Sequence, residues 1–417
     1  LTPEGAVSAP RPLSILLRGR LLLPLLAGRG VYRLAIVVSN LLFLAAWGES
    51  TFATYALVMG SFTAVMFLTS CGVEKGALKL VPRVTRARSE LIAVFVVLPA
   101  ISGSVCLIWI LATGLGGGRS SLWILAGVLA VGLGLNQVLV GLHRVLDRPW
   151  RDVANHAVLV LAIGLGVAGA LLADQGPLWA LTVMVTAVAV LNVALVSGLV
   201  LRPSGLRRRA LVRQAIGTSA LMSASELAAA GIVSLVFLLL ARSGFRDQGA
   251  ALYVIVSASA LLVNAFGFLL RIMQPQVSRT LHRGAASEAV RRRTVRWARI
   301  IAIGGAPYLA AVTALTILWR QHTGATGQTA ALALLYLACI PLFFGLGSIN
   351  FVLENGDRRT LRRTASGSVT GLAGAALSAF VLVPLLGAPG ALAAIAVGDV
   401  VHAITVLPAL TSSKEST

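Results

Sequence analysis

Three charged positions interrupt otherwise apolar runs: Arg33 in "GRGVYRLAIVVSN", Glu226 in "SASELAAAGIV" and Asp399 in "AVGDVVHAIT". His402 follows Asp399 by three residues, which places the two on one face of a helix. An ionisable group inside an apolar span is costly and is by default a candidate site. Glu226 has the chemistry of a proton or cation site, or of a buried carboxylate paired to a nearby cation. Asp399 and His402 read either as a proton-coupling couple or as a structural interhelical pair. Arg33 could hold an anion in a cavity, or snorkel to a headgroup layer. Softer polar groups occupy the same runs: Asn40, Asn136, Gln137, Asn155, His156, Asn192, Asn264 and Asn350. Their ordinary role is hydrogen bonding between helices.

Other chemistry is missing. Cys71, Cys106 and Cys339 each lie in an apolar run without a CxxC spacing, as small buried hydrophobes do. No metal signature, phosphate loop, nucleophile elbow or acid pair at catalytic spacing occurs. The expectation is a protein that is not an enzyme and needs no metal or cofactor.

The elements that must position these residues follow from composition. The 417 residues have a mean hydropathy of +0.89 and only 12% charged residues. Twelve apolar segments are long enough to span a bilayer: Gly28–Trp47, Phe52–Gly72, Leu91–Gly114, Ser121–Leu142, Val153–Leu172, Leu178–Leu201, Ile216–Ala241, Ala250–Leu270, Ile300–Trp319, Thr329–Phe351, Ser368–Leu386 and Ala391–Leu407. Backbone in lipid must pair internally, so these segments are helices.

The formal charge of +21 would suggest nucleic acid in a soluble chain, but its distribution says otherwise. Of the 35 lysines and arginines, all but Arg119, Arg242, Arg246 and Arg320 fall on one side of the twelve spans. That asymmetry is a topology signal, which puts both termini in the cytoplasm and argues against nucleic acid as a partner. Anionic lipid headgroups are the expected partners of so basic a face. The scarcity of lysine against arginine, with abundant Ala, Gly, Leu and Val, points to a GC-rich bacterial source and hence a bacterial inner membrane.

A phrase is written twice. "LVPRVTRA" (Leu80–Ala87) aligns with "MQPQVSRT" (Met273–Thr280), Pro82 with Pro275 and Arg86 with Arg279. Each phrase follows the second helix of its half, so the chain divides into six-helix lobes at 1–202 and 216–417, joined by a basic linker at 203–215. Six is even, so the repeat is parallel, related by an axis along the membrane normal. The same offset carries Arg33 onto Glu226, an arginine and a carboxylate at matching depths that could pair when the lobes approach.

Local phrases carry a resemblance. "WGESTFATYALV" (Trp47–Val58), "CGVEKGALKLVPR" (Cys71–Arg83) and "VLVGLHRVLDRPWRDV" (Val138–Val153) resemble the polysaccharide and O-antigen flippases of the multidrug/oligosaccharidyl-lipid/polysaccharide exporter superfamily. Phe52-Ala53 stands where that family has Phe-Gly. The resemblance implies two bundles around a central cavity, with alternating access by rocking. It implies a polyprenyl-phosphate-linked glycan as cargo, moved from the inner to the outer leaflet, and a cavity lined by Arg33, Asn40, Glu226 and Asn264. Two other readings stay open. One is a cation-coupled multidrug or metabolite exporter, which Glu226 fits but which often has an acid in the first helix, absent here. The other is a non-transporting scaffold that partners glycan-assembly proteins.

Overall fold

The computed structural model describes residues 12–81, 87–116, 121–146, 148–259, 285–323, 327–355 and 358–411, with a few positions between 262 and 270. Residues 82–86 of the first repeated phrase, all of the second at 273–280, and Asn264 lie outside the described residues.

The first run forms α1 (Pro12–Ser61), α2 (Thr63–Ser70) and α3 (Val73–Leu80). Gly48 folds α1 back on itself at φ 74° and ψ 168°, so α1 holds the whole first span and the start of the second. The first half continues through α4 (Arg88–Gly116), α5 (Ser121–Val145), α6 (Trp150–Leu172) and α7 (Pro177–Ser197). A one-turn α8 (Ser204–Arg207) leads directly into α9 (Arg209–Arg242). The basic connection is therefore mostly helical, and its second part is the beginning of α9. The second half adds α10 (residues 249–259), α11 (Ala285–Thr323), α12 (Gly327–Asn355), α13 (Arg358–Leu386) and α14 (Ala388–Thr411).

Among the described residues nine stretches are long and apolar enough to cross a membrane, and the first, Gly28–Leu80, contains two spans. Large apolar side chains lie bare on the outside, Leu172 at 87% exposure and Ile303 at 76%. In water such a surface would aggregate; against lipid it is ordinary.

Contacts sort the helices into two groups. In the first half α1 packs on α6, α5 on α4 and α7, and α6 on α7. In the second half α13 packs on α9 and α14, and α12 on α11 and α14. The halves meet where α1, α2 and α3 lie along α9.

That meeting needs a special backbone. The second span breaks after Ser70, where Cys71 (φ 48°) and Gly72 (φ 63°) both take the left-handed conformation. A Cβ on Gly72 would stand 2.6 Å from the Ser219 carbonyl oxygen and 2.7 Å from the Ser223 nitrogen of α9. Glycine is required both for the turn and for the approach of two backbones. The expected helix end at Gly72 is thus a bend, beyond which the chain runs on as α3. Gly72→Ala should lower the thermal midpoint of the detergent-solubilised protein, the left-handed backbone alone costing about 1–2 kcal/mol. Gly30→Ala, where no atom lies within 4 Å of the added carbon, should leave the midpoint unchanged or slightly raised.

Candidate functional site

Adjacent residues on a helix point about 100° apart. On α3, just beyond the bend, Glu74 faces its own half and Lys75 faces the other. Glu74 is buried, with Gly141 making room for its side chain. Its carboxylate accepts from Arg144 Nη1 at 3.2 Å and Gln137 Nε2 at 3.0 Å. Arg144 also donates through Nε to Asp152 Oδ2 at 3.1 Å. Asp152, fully buried at the start of α6, further accepts from Arg29 at 3.2 Å and meets His156 Nδ1 at 2.9 Å. Five charged or titratable groups from α1, α3, α5 and α6 thus form one network inside the first half.

Lys75 crosses to the second half. Its ammonium lies 3.2 Å from Glu354 Oε2 at the end of α12 and 3.5 Å from Glu226 Oε1 on α9. Glu354 also accepts from Ser225 Oγ at 2.7 Å, and its backbone carbonyl accepts from Lys79 Nζ at 3.1 Å. All three side chains at the centre are largely shielded, at 10–16% exposure.

Further along the same seam the contacts are neutral. The break at Phe62 leaves the amide of Ala64 in the first turn of α2, where no intrahelical acceptor exists. Ser234 Oγ on α9 accepts it at 2.8 Å. Asn40 Nδ2 donates to Ser257 Oγ across the halves at 3.1 Å. Near Trp47 the seam is aromatic: Tyr253 packs its ring against Phe52, Tyr55 and Phe237 at 5.9–6.3 Å. The seam therefore runs from an aromatic end to an ionic end.

The residues singled out from the sequence fall as follows. Asn40 and Glu226 both lie on the seam, Glu226 taking Lys75 as its ion-pair partner. Arg33 is half-buried on α1, its guanidinium 5.8 Å from the Tyr32 ring. Asp399 and His402 are on α14, within the second half. His402 is buried where α13 approaches α14 through Gly367 and Gly371, and its Nε2 has no hydrogen-bond partner. The two side chains do not bond to each other. Asn155 on α6 and Asn192 on α7 each bond to Asn136 on α5 at 2.9–3.1 Å, as interhelical asparagines do. Among the described residues no group of three His, Cys, Asp or Glu could hold a metal.

Sequence reasoning missed Glu74, Lys75, Arg144, Asp152 and Glu354, all assigned to connections. The signal was present but weak: each lies within about one turn of a span end, and helices that run on past the apolar stretch bring such charges inside.

No family model matches the sequence, and no curated protein matches it. Solved structures do. An outward-facing multidrug resistance MATE family transporter of the MOP superfamily matches with a TM-score of 0.59 at 18% identity, over 94% of this chain and 96% of that one. An inward-facing MATE transporter matches at 0.60 and 16%, over 92% and 96%. The lipid II flippase MurJ, in an inward closed conformation, matches at 0.56 and 12%, over 91% and 87%.

The fold is that of the MOP-superfamily transporters. It consists of two six-helix halves, and the chain is a multi-pass membrane protein. The MOP fold agrees with the architecture expected from the sequence phrases; identities this low show the fold alone.

The two polar networks should respond differently to neutralisation. Asp152→Asn removes the fully buried carboxylate that Arg29, Arg144 and His156 share, a loss of about 3–5 kcal/mol. Glu226→Gln leaves Lys75 with Glu354, so its effect on stability should be small. Thermal unfolding in detergent should show a marked drop for the first variant and almost none for the second.

Proposed function

We propose that the chain is a transporter that flips a lipid-linked saccharide across a bacterial inner membrane by rocking its halves, with both termini and the Lys75 cluster on the cytoplasmic side. The observation that carries the proposal is Lys75 itself. A lysine of one half is held by two carboxylates of the other, on a fold whose solved examples include outward- and inward-facing transporters and a lipid II flippase. Separating the halves at this end requires breaking those pairs. An arriving polyprenyl phosphate or pyrophosphate supplies the replacement partner for the ammonium, so cargo entry and opening become one event. A ligand shifts such an equilibrium only through its differential affinity for the two states, and an anion that binds Lys75 only when Glu226 and Glu354 have withdrawn has that property.

The first span supports an anionic cargo over a cationic drug. Between Gly28 and Trp47 it carries Arg29 and Arg33 and no carboxylate. Arg33 and Asn264 are proposed as further contacts to the cargo. Asp399 and His402, both on α14, are proposed as the place where a proton could bias the second half.

Reconstitution into vesicles tests the reading. With a fluorescent polyprenyl-pyrophosphate oligosaccharide placed in both leaflets, the protein should make the inner pool accessible to a membrane-impermeant quencher. Lys75→Ala should slow this at least ~10-fold, the loss of one charge-assisted contact of about 1.5–3 kcal/mol. Accumulation of a cationic dye under a proton or sodium gradient, without glycan movement, would instead indicate the multidrug reading. Movement of neither would favour a scaffold.

A further inference from the structure

We infer that the start of α9 carries a binding site for an anionic phospholipid, separate from the seam and independent of what the protein transports. A groove of about 460 Å³ lies there, lined by Leu206, Arg209, Val212, Arg213, Ile216 and Gly217. Leu206 and Ile216 are 42% and 43% exposed, and no atom lies within 4 Å of where a Cβ on Gly217 would be. The groove is open space bounded by apolar side chains. Arg209 and Arg213 are one turn apart on its rim, both exposed. Neither has a hydrogen bond or ion pair among the described residues. Arg208, by contrast, is bound to Glu90 Oε2 at 2.9 Å.

Depth identifies the occupant. The 34 residues of α9 extend about 51 Å at 1.5 Å per residue. The hydrocarbon layer is about 30 Å thick, so the first turns of α9 protrude into the headgroup zone. At that depth an apolar groove meets acyl chain while an unpaired arginine meets phosphate. Two arginines one turn apart match a phosphodiester carrying net negative charge, and a zwitterionic lipid offers its choline charge in opposition. The groove also faces away from the seam: Ala215, Ser219 and Met222, on the other side of α9, are buried. The lipid would therefore hold the junction of the halves, where Gly205 packs against the Glu90 carbonyl, without entering the transport path.

Native mass spectrometry of the full chain in detergent provides the test, with dioleoylphosphatidylglycerol, dioleoylphosphatidylcholine and glycerol 3-phosphate as probes. One phosphatidylglycerol should stay bound under activation that strips phosphatidylcholine. R209Q/R213Q should weaken that binding about tenfold or more, taking about 1 kcal/mol per arginine near a headgroup as the guide. R202Q/R207Q, which changes arginines outside the groove, should not weaken it. Val212→Trp, which fills the groove and keeps both charges, should also reduce retention. Unchanged retention in R209Q/R213Q at an unchanged melting temperature would overturn the inference. So would equal retention of phosphatidylcholine, or full displacement by glycerol 3-phosphate, which would mark a free-anion site.

Discussion

Lipid offers helices no hydrophobic reason to prefer one another over the acyl chains around them, so close packing and polar contacts must choose the partners. In this chain that choice falls on the eight residues of α3 and the bend before them. Left-handed Cys71 and Gly72 turn the second span until its backbone touches α9, and on the helix that follows Glu74 and Lys75 reach into different halves. Glu74 ties α3 to the buried network of the first half. Lys75 ties it to Glu226 and Glu354 of the second.

Coupling between the networks follows from this geometry. A helix of two turns cannot move Lys75 away from Glu354 without disturbing Glu74, whose partner Arg144 also holds Asp152. The asymmetry of the seam would give the proposed rocking a direction. At the Trp47 end the halves share aromatic surface around Tyr253, a contact that tolerates sliding. At the other end they share charges, which are either paired or exposed to something that pairs them. Ion pairs of this kind have two discrete arrangements, which makes them suited to a two-state contact.

Much of the architecture was legible because the bilayer leaves few solutions. Apolar runs of bilayer length are helices, and the spans expected from Gly28 to Leu407 fall on helices where residues are described. The site was less legible, for a reason particular to membranes. Charges next to a span are normally solvent-side, and Lys75, Asp152 and Glu354 were assigned there. The helices continue past the apolar stretch, α3 to Leu80 and α12 to Asn355, and pack, so Asp152 and Glu354 become buried and Lys75 largely shielded. Glu226 stood out because it interrupts an apolar run. Its partner did not, because Lys75 lies far away in sequence and near a cluster of other charges. The offset that matched Arg33 to Glu226 spoke of depth in the membrane, and depth alone does not select an ion-pair partner.

Distance measurement across the seam tests the central claim most directly. Spin labels at positions 150 and 359, both exposed and in different halves, can be introduced with the three native cysteines replaced by alanine and read in lipid nanodiscs. A single narrow distance distribution is expected for the otherwise native sequence. Lys75→Gln should shift it to longer, broader distances, and the charge exchange K75E/E354K should restore the narrow one. An unchanged distribution in Lys75→Gln would contradict the account, since the halves would then be held together by something other than this lysine.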